Sequence, residues 1–172
     1  AISVLTDKRF FSGSLSDMKE ASRLTNLPIL RKDFIIDEYQ IYEARLYNAD
    51  AILLIASVLS KGQIDDFIET AKSMNMGCLV EAHTEDELNK VLDTKAEIIG
   101  INNRNLYSLE IDLNTTLMLA GKIPPDKVVV SESGIKDNDY ATKIKGKVNA
   151  ILVGSAFMNS ENIEREITQL IK

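Results

Sequence analysis

The sequence has no tryptophan and is poor in cysteine, histidine, proline and glycine. A single cysteine, Cys78, rules out a disulfide within the chain and any multi-cysteine metal site. A single histidine, His83, argues against a His-rich zinc site. Three prolines and eight glycines leave few chain breakers, which predicts long elements and short loops. No Gly/Ser linker, low-complexity tract or charge block divides the chain. The longest apolar run, Ala51 to Ala56, falls far short of the roughly 18 residues that a membrane span needs. Basic residues are the minority. The balance of 20 Lys+Arg against 26 Asp+Glu gives a net charge of −6, the reverse of the basic footprint of a nucleic-acid binder. No signal peptide precedes the domain, so the expected compartment is the cytoplasm. The first residue is alanine, which suggests a chain that does not begin where its gene begins.

Apolar residues make up 45% of the 172, enough for a buried core in one domain, residues 1–172. Seven short apolar runs recur: Ile2–Leu5, Pro28–Leu30, Ala51–Ala56, Cys78–Val80, Ile98–Ile101, Val128–Val130 and Ala150–Val153. They are rich in Ile, Val and Leu and do not alternate with polar residues. Strands covered on both faces read this way, which means a parallel sheet. Helical spacing fills the gaps. Ile64, Phe67, Ile68, Ala71 and Met74 share one helix face, as do Ile41 and Ala44. Thr84 followed by Glu87 is a capping-box pattern ahead of Leu88, Val91 and Leu92.

Repeated βα units leave two solutions, an open doubly wound sheet or a closed (β/α)₈ barrel. A dinucleotide-binding sheet should carry a Gly-rich fingerprint after its first strand. Here Leu5 leads into Thr6-Asp7-Lys8-Arg9-Phe10-Phe11, with no glycine before Gly13. Polar residues instead follow nearly every run: Lys32, Glu81, Asn102, Ser133 and Gly154-Ser155. Functional groups spread over many strand ends favour the barrel, whose site is built from all its βα ends. The fold class read from the sequence is therefore a (β/α)₈ TIM-barrel type with seven of its eight strands in this chain.

Each strand end admits a chemical and a plainer reading. Lys32, beside an apolar strand end, is either a partly desolvated acid–base lysine or a solvated loop charge. Glu81 is either an acid–base carboxylate or the structural partner of a nearby cation. Asn102-Asn103-Arg104 suits orientation of a polar group and the grip of a carboxylate or phosphate; the alternative is a turn with a surface arginine. Ser131-Glu132-Ser133-Gly134-Ile135 and Gly154-Ser155 place small residues at the last two strand ends. Many barrels build a phosphate site there, and the two occurring together favour that reading over ordinary turns. His83 and Cys78 read as structural, and the five methionines as packing.

Taken in order, these strand ends resemble the indole-3-glycerol phosphate synthase family. The resemblance is carried by Ser3-Val4-Leu5-Thr6 with Phe11 and Gly13-Ser14, Leu30-Arg31-Lys32-Asp33-Phe34 with Gln40, Gly100-Ile101-Asn102-Asn103-Arg104, Ser131-Glu132-Ser133-Gly134-Ile135 and Leu152-Val153-Gly154. It implies conversion of 1-(o-carboxyphenylamino)-1-deoxyribulose 5-phosphate to indole-3-glycerol phosphate, with loss of CO₂ and water, in tryptophan biosynthesis. It implies no metal and no organic cofactor. It also implies roles: Lys32 as general acid, Glu81 as the second acid–base group, and Asn102 orienting the reacting hydroxyl. Arg104 and Ser133 would contact the substrate, while Gly134, Gly154 and Ser155 would line its phosphate end. Leu5, Phe11, Phe34 and Leu53 would form apolar walls for the anthranilate ring. The partner implied is a small phosphorylated substrate, with no nucleic acid and no membrane.

The resemblance departs at the front. Family members carry an N-terminal helical extension and a first strand with a Glu, then a Lys, then a Ser-Pro-Ser turn, and none of these occurs here. The first strand present matches the family's second. A domain truncated on its N-terminal side is the expectation, with activity of this chain in question and apolar surface left open to association. The alternatives are another phosphate-binding barrel of the same pathway, such as phosphoribosylanthranilate isomerase or the tryptophan synthase α subunit, or a catalytically inactive barrel fragment.

Overall fold

The computed structural model describes residues 1–170. Strands and helices alternate: β1 Ile2–Leu5, α1 Lys8–Phe11, α2 Leu15–Leu24, β2 Ile29–Lys32, α3 Tyr39–Leu46, β3 Ala51–Ile55, α4 Lys61–Ser73, β4 Gly77–Ala82 and α5 Glu85–Leu92. They continue with β5 Ile98–Asn102, α6 Asn114–Leu119, β6 Val128–Glu132, α7 Asn138–Ile144, β7 Ala150–Leu152, α8 Ser155–Met158 and α9 Ile163–Leu170. The chain divides into two compact units, Ala1–Glu81 with Asn89–Glu97, and Ala82–Leu88 with the residues from Ile98 onward.

In the first unit β1, β2, β3 and β4 pair in sequence order, all parallel. Leu5 lies opposite Lys32, and Ile55 opposite Glu81. Ile52, Leu53, Leu54 and Ile55 of β3 are buried in succession, as expected of a strand covered on both faces. Helix α4 starts from a full capping box, with Ser60 and Gln63 satisfying each other's backbone N–H groups, and turns Ile64, Phe67 and Ala71 inward. β1 departs from the expectation. Ile2 and Leu5 are more than a third exposed, because β1 hydrogen-bonds to β2 on one side and is not covered as β3 is.

In the second unit β5, β6 and β7 pair in parallel, with Asn102 opposite Glu132 and Glu132 opposite Leu152. Ile135, Tyr140, Ile144 and Leu170 form a buried cluster, and the Tyr140 hydroxyl donates to the Leu113 carbonyl at 2.7 Å.

Three expectations need correction. Four of the apolar runs stop before their strands do: β2 runs on through Arg31 and Lys32, β4 through Glu81 and Ala82, β5 through Asn102, and β6 through Ser131 and Glu132. Lys32, Glu81 and Asn102, read as following their strands, thus lie within the strand ends, whereas Ser133 and Gly154-Ser155 do follow β6 and β7. Elements are also shorter than the scarcity of breakers suggested, since α1 and α8 are single turns and the segment 103–113 is irregular. Finally, the Thr84–Glu87 box is only half formed. Thr84 Oγ1 accepts from the Glu87 N–H at 3.2 Å, but the Glu87 carboxylate accepts from the backbone N–H of His83 at 2.7 Å, one residue earlier than the box requires.

Candidate functional site

The first unit gathers its polar groups at the C-terminal ends of β2 and β4. Lys32 Nζ lies 3.2 Å from Glu81 Oε2. The lysine is 23% exposed and the carboxylate 1%, so one partner reaches solvent while the other is sunk in the protein. Such a pair can hold a proton at a defined atom and return it, as acid–base chemistry requires. Beside Lys32, a buried network shapes the β2–α3 connection. Arg31 Nη2 pairs with Asp33 Oδ2 and with Glu43 Oε2, both at 3.0 Å. Arg31 Nη1 donates to the Gln40 carbonyl at 2.7 Å, and Thr6 Oγ1 donates to Asp33 Oδ2 at 2.6 Å. Gln40 accepts from the N–H groups of Ile36 and Asp37 and donates to the Phe34 carbonyl.

An aromatic group stands on the same connections. Phe11 stacks on Phe34 with ring centroids 6.1 Å apart and 15° between planes, and Phe10 meets Phe34 edge-on at 5.7 Å. Phe10 and Phe11 are exposed. The Asp7 carboxylate caps the short turn that carries them, accepting from the Phe10 N–H at 2.5 Å. Gly13 closes that turn against β1, where a Cβ would sit 2.1 Å from the Leu5 carbonyl oxygen. Leu5 is 38% exposed, and Leu53 is buried. Sequence reasoning named Phe11 and Phe34 but missed Phe10, which the Phe10-Phe11 doublet signals once both rings are seen to face Phe34.

The second unit carries the remaining candidates on the C-terminal side of β5, β6 and β7. Asn102 is buried, and its Oδ1 accepts from the backbone N–H of Arg104 at 3.0 Å, so the amide shapes the turn that follows. Arg104 is partly buried, donates Nη1 to the Leu109 carbonyl at 3.3 Å, and bridges Ile111 in an antiparallel pair. Ser133 and Gly134 both have positive φ, 64° and 78°. Gly154 precedes the turn of helix begun by Ser155, and its carbonyl accepts from the N–H groups of Phe157 and Met158. Asn103, Thr116 and Ser131 form a buried hydrogen-bonded group beneath these residues. Sequence reasoning passed over Thr116 and had no signal for it, because a threonine within a helix carries no mark of a partner on a neighbouring strand. Among the described residues no three His, Cys, Asp or Glu side chains are grouped to hold a metal ion, and no helix is long and apolar enough to cross a membrane.

A family profile described as indole-3-glycerol phosphate synthase matches residues 1–170. The chain is 48% identical over 171 residues to the indole-3-glycerol phosphate synthase of Endomicrobium trichonymphae, covering 99% of this chain and 66% of the relative. To that of Acetivibrio thermocellus it is 49% identical over 170 residues, covering 98% and 65%. The chain thus spans just under two thirds of the length of these curated relatives. Among solved structures it resembles 3-hexulose-6-phosphate synthase from Salmonella typhimurium, with a TM-score of 0.80 at 12% identity over 98% of this chain and 83% of that one. It also resembles the tryptophan synthase A-subunit from Pyrococcus furiosus, with a TM-score of 0.69 at 18% identity over 92% and 72%. At such identities these structures speak to the fold alone, and the fold they show is the (β/α)₈-barrel class.

Proposed function

The chain belongs to the indole-3-glycerol phosphate synthase family, and we propose that its strand ends carry the family's ring-closing lyase chemistry. The substrate is 1-(o-carboxyphenylamino)-1-deoxyribulose 5-phosphate, and the products are indole-3-glycerol phosphate, CO₂ and water. Ring closure needs an acid to protonate the ketone oxygen while the aromatic carbon attacks. Dehydration then needs an acid for the departing hydroxyl and a base for the proton lost.

The observation that carries this reading is the Lys32–Glu81 pair. The ammonium of Lys32 serves as the acid at the ketone. The carboxylate of Glu81, at hydrogen-bond distance, is the second acid–base group: it takes the proton lost in dehydration and hands it on to the Lys32 amine. Asn102 and Arg104 orient the reacting hydroxyl and grip the substrate. Ser133, Gly134, Gly154 and Ser155 offer small residues where backbone N–H groups can approach a phosphate. Phe11 and Phe34, with Leu5, supply apolar surface suited to the anthranilate ring, whereas Leu53, 2% exposed, belongs to the core rather than to that surface. The same reading puts the protein in the cytoplasm, since a phosphorylated substrate does not cross membranes unaided.

The test is turnover of Lys32→Ala and Glu81→Gln in a chain extended to the length of its relatives. Each substitution is expected to lower turnover about 10²–10⁴-fold, with a much smaller change in substrate affinity. Near-normal turnover in either variant would remove that residue from the mechanism.

A further inference from the structure

We propose that Asn103 is a positioning residue that holds the Ser133–Gly134 turn in its left-handed conformation and thereby aims the turn's backbone at an anion. The inference rests on the reading of Ser133 and Gly134 as part of the substrate site. Ser133 has φ 64° and Gly134 φ 78°. Glycine adopts such angles freely. Serine is crowded there by its Cβ and stays only where its surroundings over-determine it. At Gly134 a side chain is excluded by space as well, because a Cβ would meet Ile111 Cγ2 at 2.5 Å and Leu113 Cδ2 at 2.9 Å.

Asn103 supplies the constraint on Ser133. It is 2% exposed and directly follows β5. Its Nδ2 donates to the Ser133 carbonyl at 3.1 Å and to Ser131 Oγ at 3.4 Å. Its Oδ1 accepts from the Thr116 N–H at 3.1 Å and from Thr116 Oγ1 at 2.9 Å. Both amide hydrogens and both oxygen lone pairs are therefore used. The backbone N–H of Thr116 can only donate, so it fixes which end of the amide faces it and leaves the NH₂ for Ser133. The asparagine is itself anchored, its N–H donating to the Glu132 carbonyl and its carbonyl accepting from the Asp112 N–H, both at 2.9 Å. In a trans peptide the N–H points opposite to the C=O. Tying the Ser133 carbonyl to Asn103 therefore turns the Gly134 N–H away from Asn103 and gives it one direction, as a donor kept ready for an anion must have.

Asn103→Asp tests this. It keeps the shape and the acceptors for Thr116, but it removes the donor and sets an oxygen against the Ser133 carbonyl. Thr116→Val is the comparison, since it strips Oγ1 from the same group without touching Ser133. In Asn103→Asp, Ser133 is expected to leave positive φ, read from its backbone coupling constant and chemical shifts, and inorganic phosphate is expected to bind at least tenfold more weakly. Thr116→Val is expected to lose stability while Ser133 keeps its φ and phosphate binds within twofold of the parent. Retention of positive φ in Asn103→Asp, or an equal loss of phosphate binding in Thr116→Val, would overturn the proposal. A parent chain that binds no phosphate would remove the turn from the substrate site, and the φ of Ser133 in Asn103→Asp would then decide the positioning role alone. Should Asn103→Asp not fold, Asn103→Asp/Ser133→Gly is expected to fold, because glycine takes the angle unaided; failure of both would assign Asn103 to the core in general and overturn the proposal.

Discussion

Lys32 and Glu81 are 49 residues apart in sequence and 3.2 Å apart in space, at the C-terminal ends of two strands that flank β3 on either side. Neither residue alone distinguishes an acid–base role from a structural ion pair, but the pairing yields a test that does. Two groups that pass one proton between them act as a unit, and losses from a unit are not additive. If each single substitution costs about 10²–10⁴-fold in turnover, the double variant Lys32→Ala/Glu81→Gln is expected to fall no more than about tenfold below the worse single. Turnover measured for all four proteins checks this. Losses that multiply would mean that the two residues act independently.

Cys78 gives a prediction from burial. Removal from water pushes its thiol up to about 12, with the negative charge of Glu97 adding to the effect. A thiol raised from its ordinary value of 9.0 leaves far less thiolate at pH 8, and thiolate is the reactive form. Iodoacetamide is therefore expected to label the urea-unfolded chain readily and the folded chain slowly. The sign for stability follows: the folded state favours the protonated thiol, so this contribution is whole below about pH 9 and is lost as pH rises toward 12. Labelling at equal rates in both states would contradict the burial argument.

What the sequence revealed follows from what hydropathy can register. The unbroken Ala51-Ile52-Leu53-Leu54-Ile55 run announced β3, and Ile64, Phe67 and Ala71 announced the buried face of α4. The strand ends slipped because Arg31, Glu81, Asn102 and Ser131 are polar yet buried, and a polar residue with a partner inside the protein looks in sequence like one bound for solvent. Lys32, Glu81, Asn102 and Ser133 were legible as candidates because each stands next to an apolar run. The partnership of Asn103 with Thr116 was not legible, because it depends on how α6 sits against the ends of β5 and β6. β1 misled in the other direction, since an apolar run says nothing of whether other elements cover it.

Two glycines are expected to resist substitution, and a third to welcome it. Gly134→Ala would require a side chain at φ 78° and push a methyl into Ile111, while Gly13→Ala would drive one into the Leu5 carbonyl, which is backbone and cannot swing aside. Each should cost about 2 kcal/mol or more. Gly62, in α4, has nothing within 4 Å of its would-be Cβ, so Gly62→Ala should stabilise by up to about 1 kcal/mol. Urea unfolding of the three variants checks the order, and a Gly13→Ala chain as stable as Gly62→Ala would refute it.

The Arg31 network makes the last prediction. Arg31 is 3% exposed and Asp33 8%, so their charges are removed from water and depend on one another, on Glu43 and on Thr6. Removing one member of a buried pair costs about 3–5 kcal/mol, because the charge left behind has lost its compensation. Asp33→Ala is accordingly expected to destabilise by about that amount. Glu43→Gln should cost less, because Glu43 is more exposed and leaves the Asp33 contact intact. Asp33 also accepts from the Phe34 N–H at 2.8 Å, and its neighbour in the chain is Lys32. The loss should therefore spread to the site, lowering turnover in the Asp33 variant beyond what its unfolded fraction explains. Unfolding curves and turnover per folded molecule, measured together, separate the two effects. Full turnover per folded molecule in Asp33→Ala would show that Lys32 and Phe34 hold their places without the network.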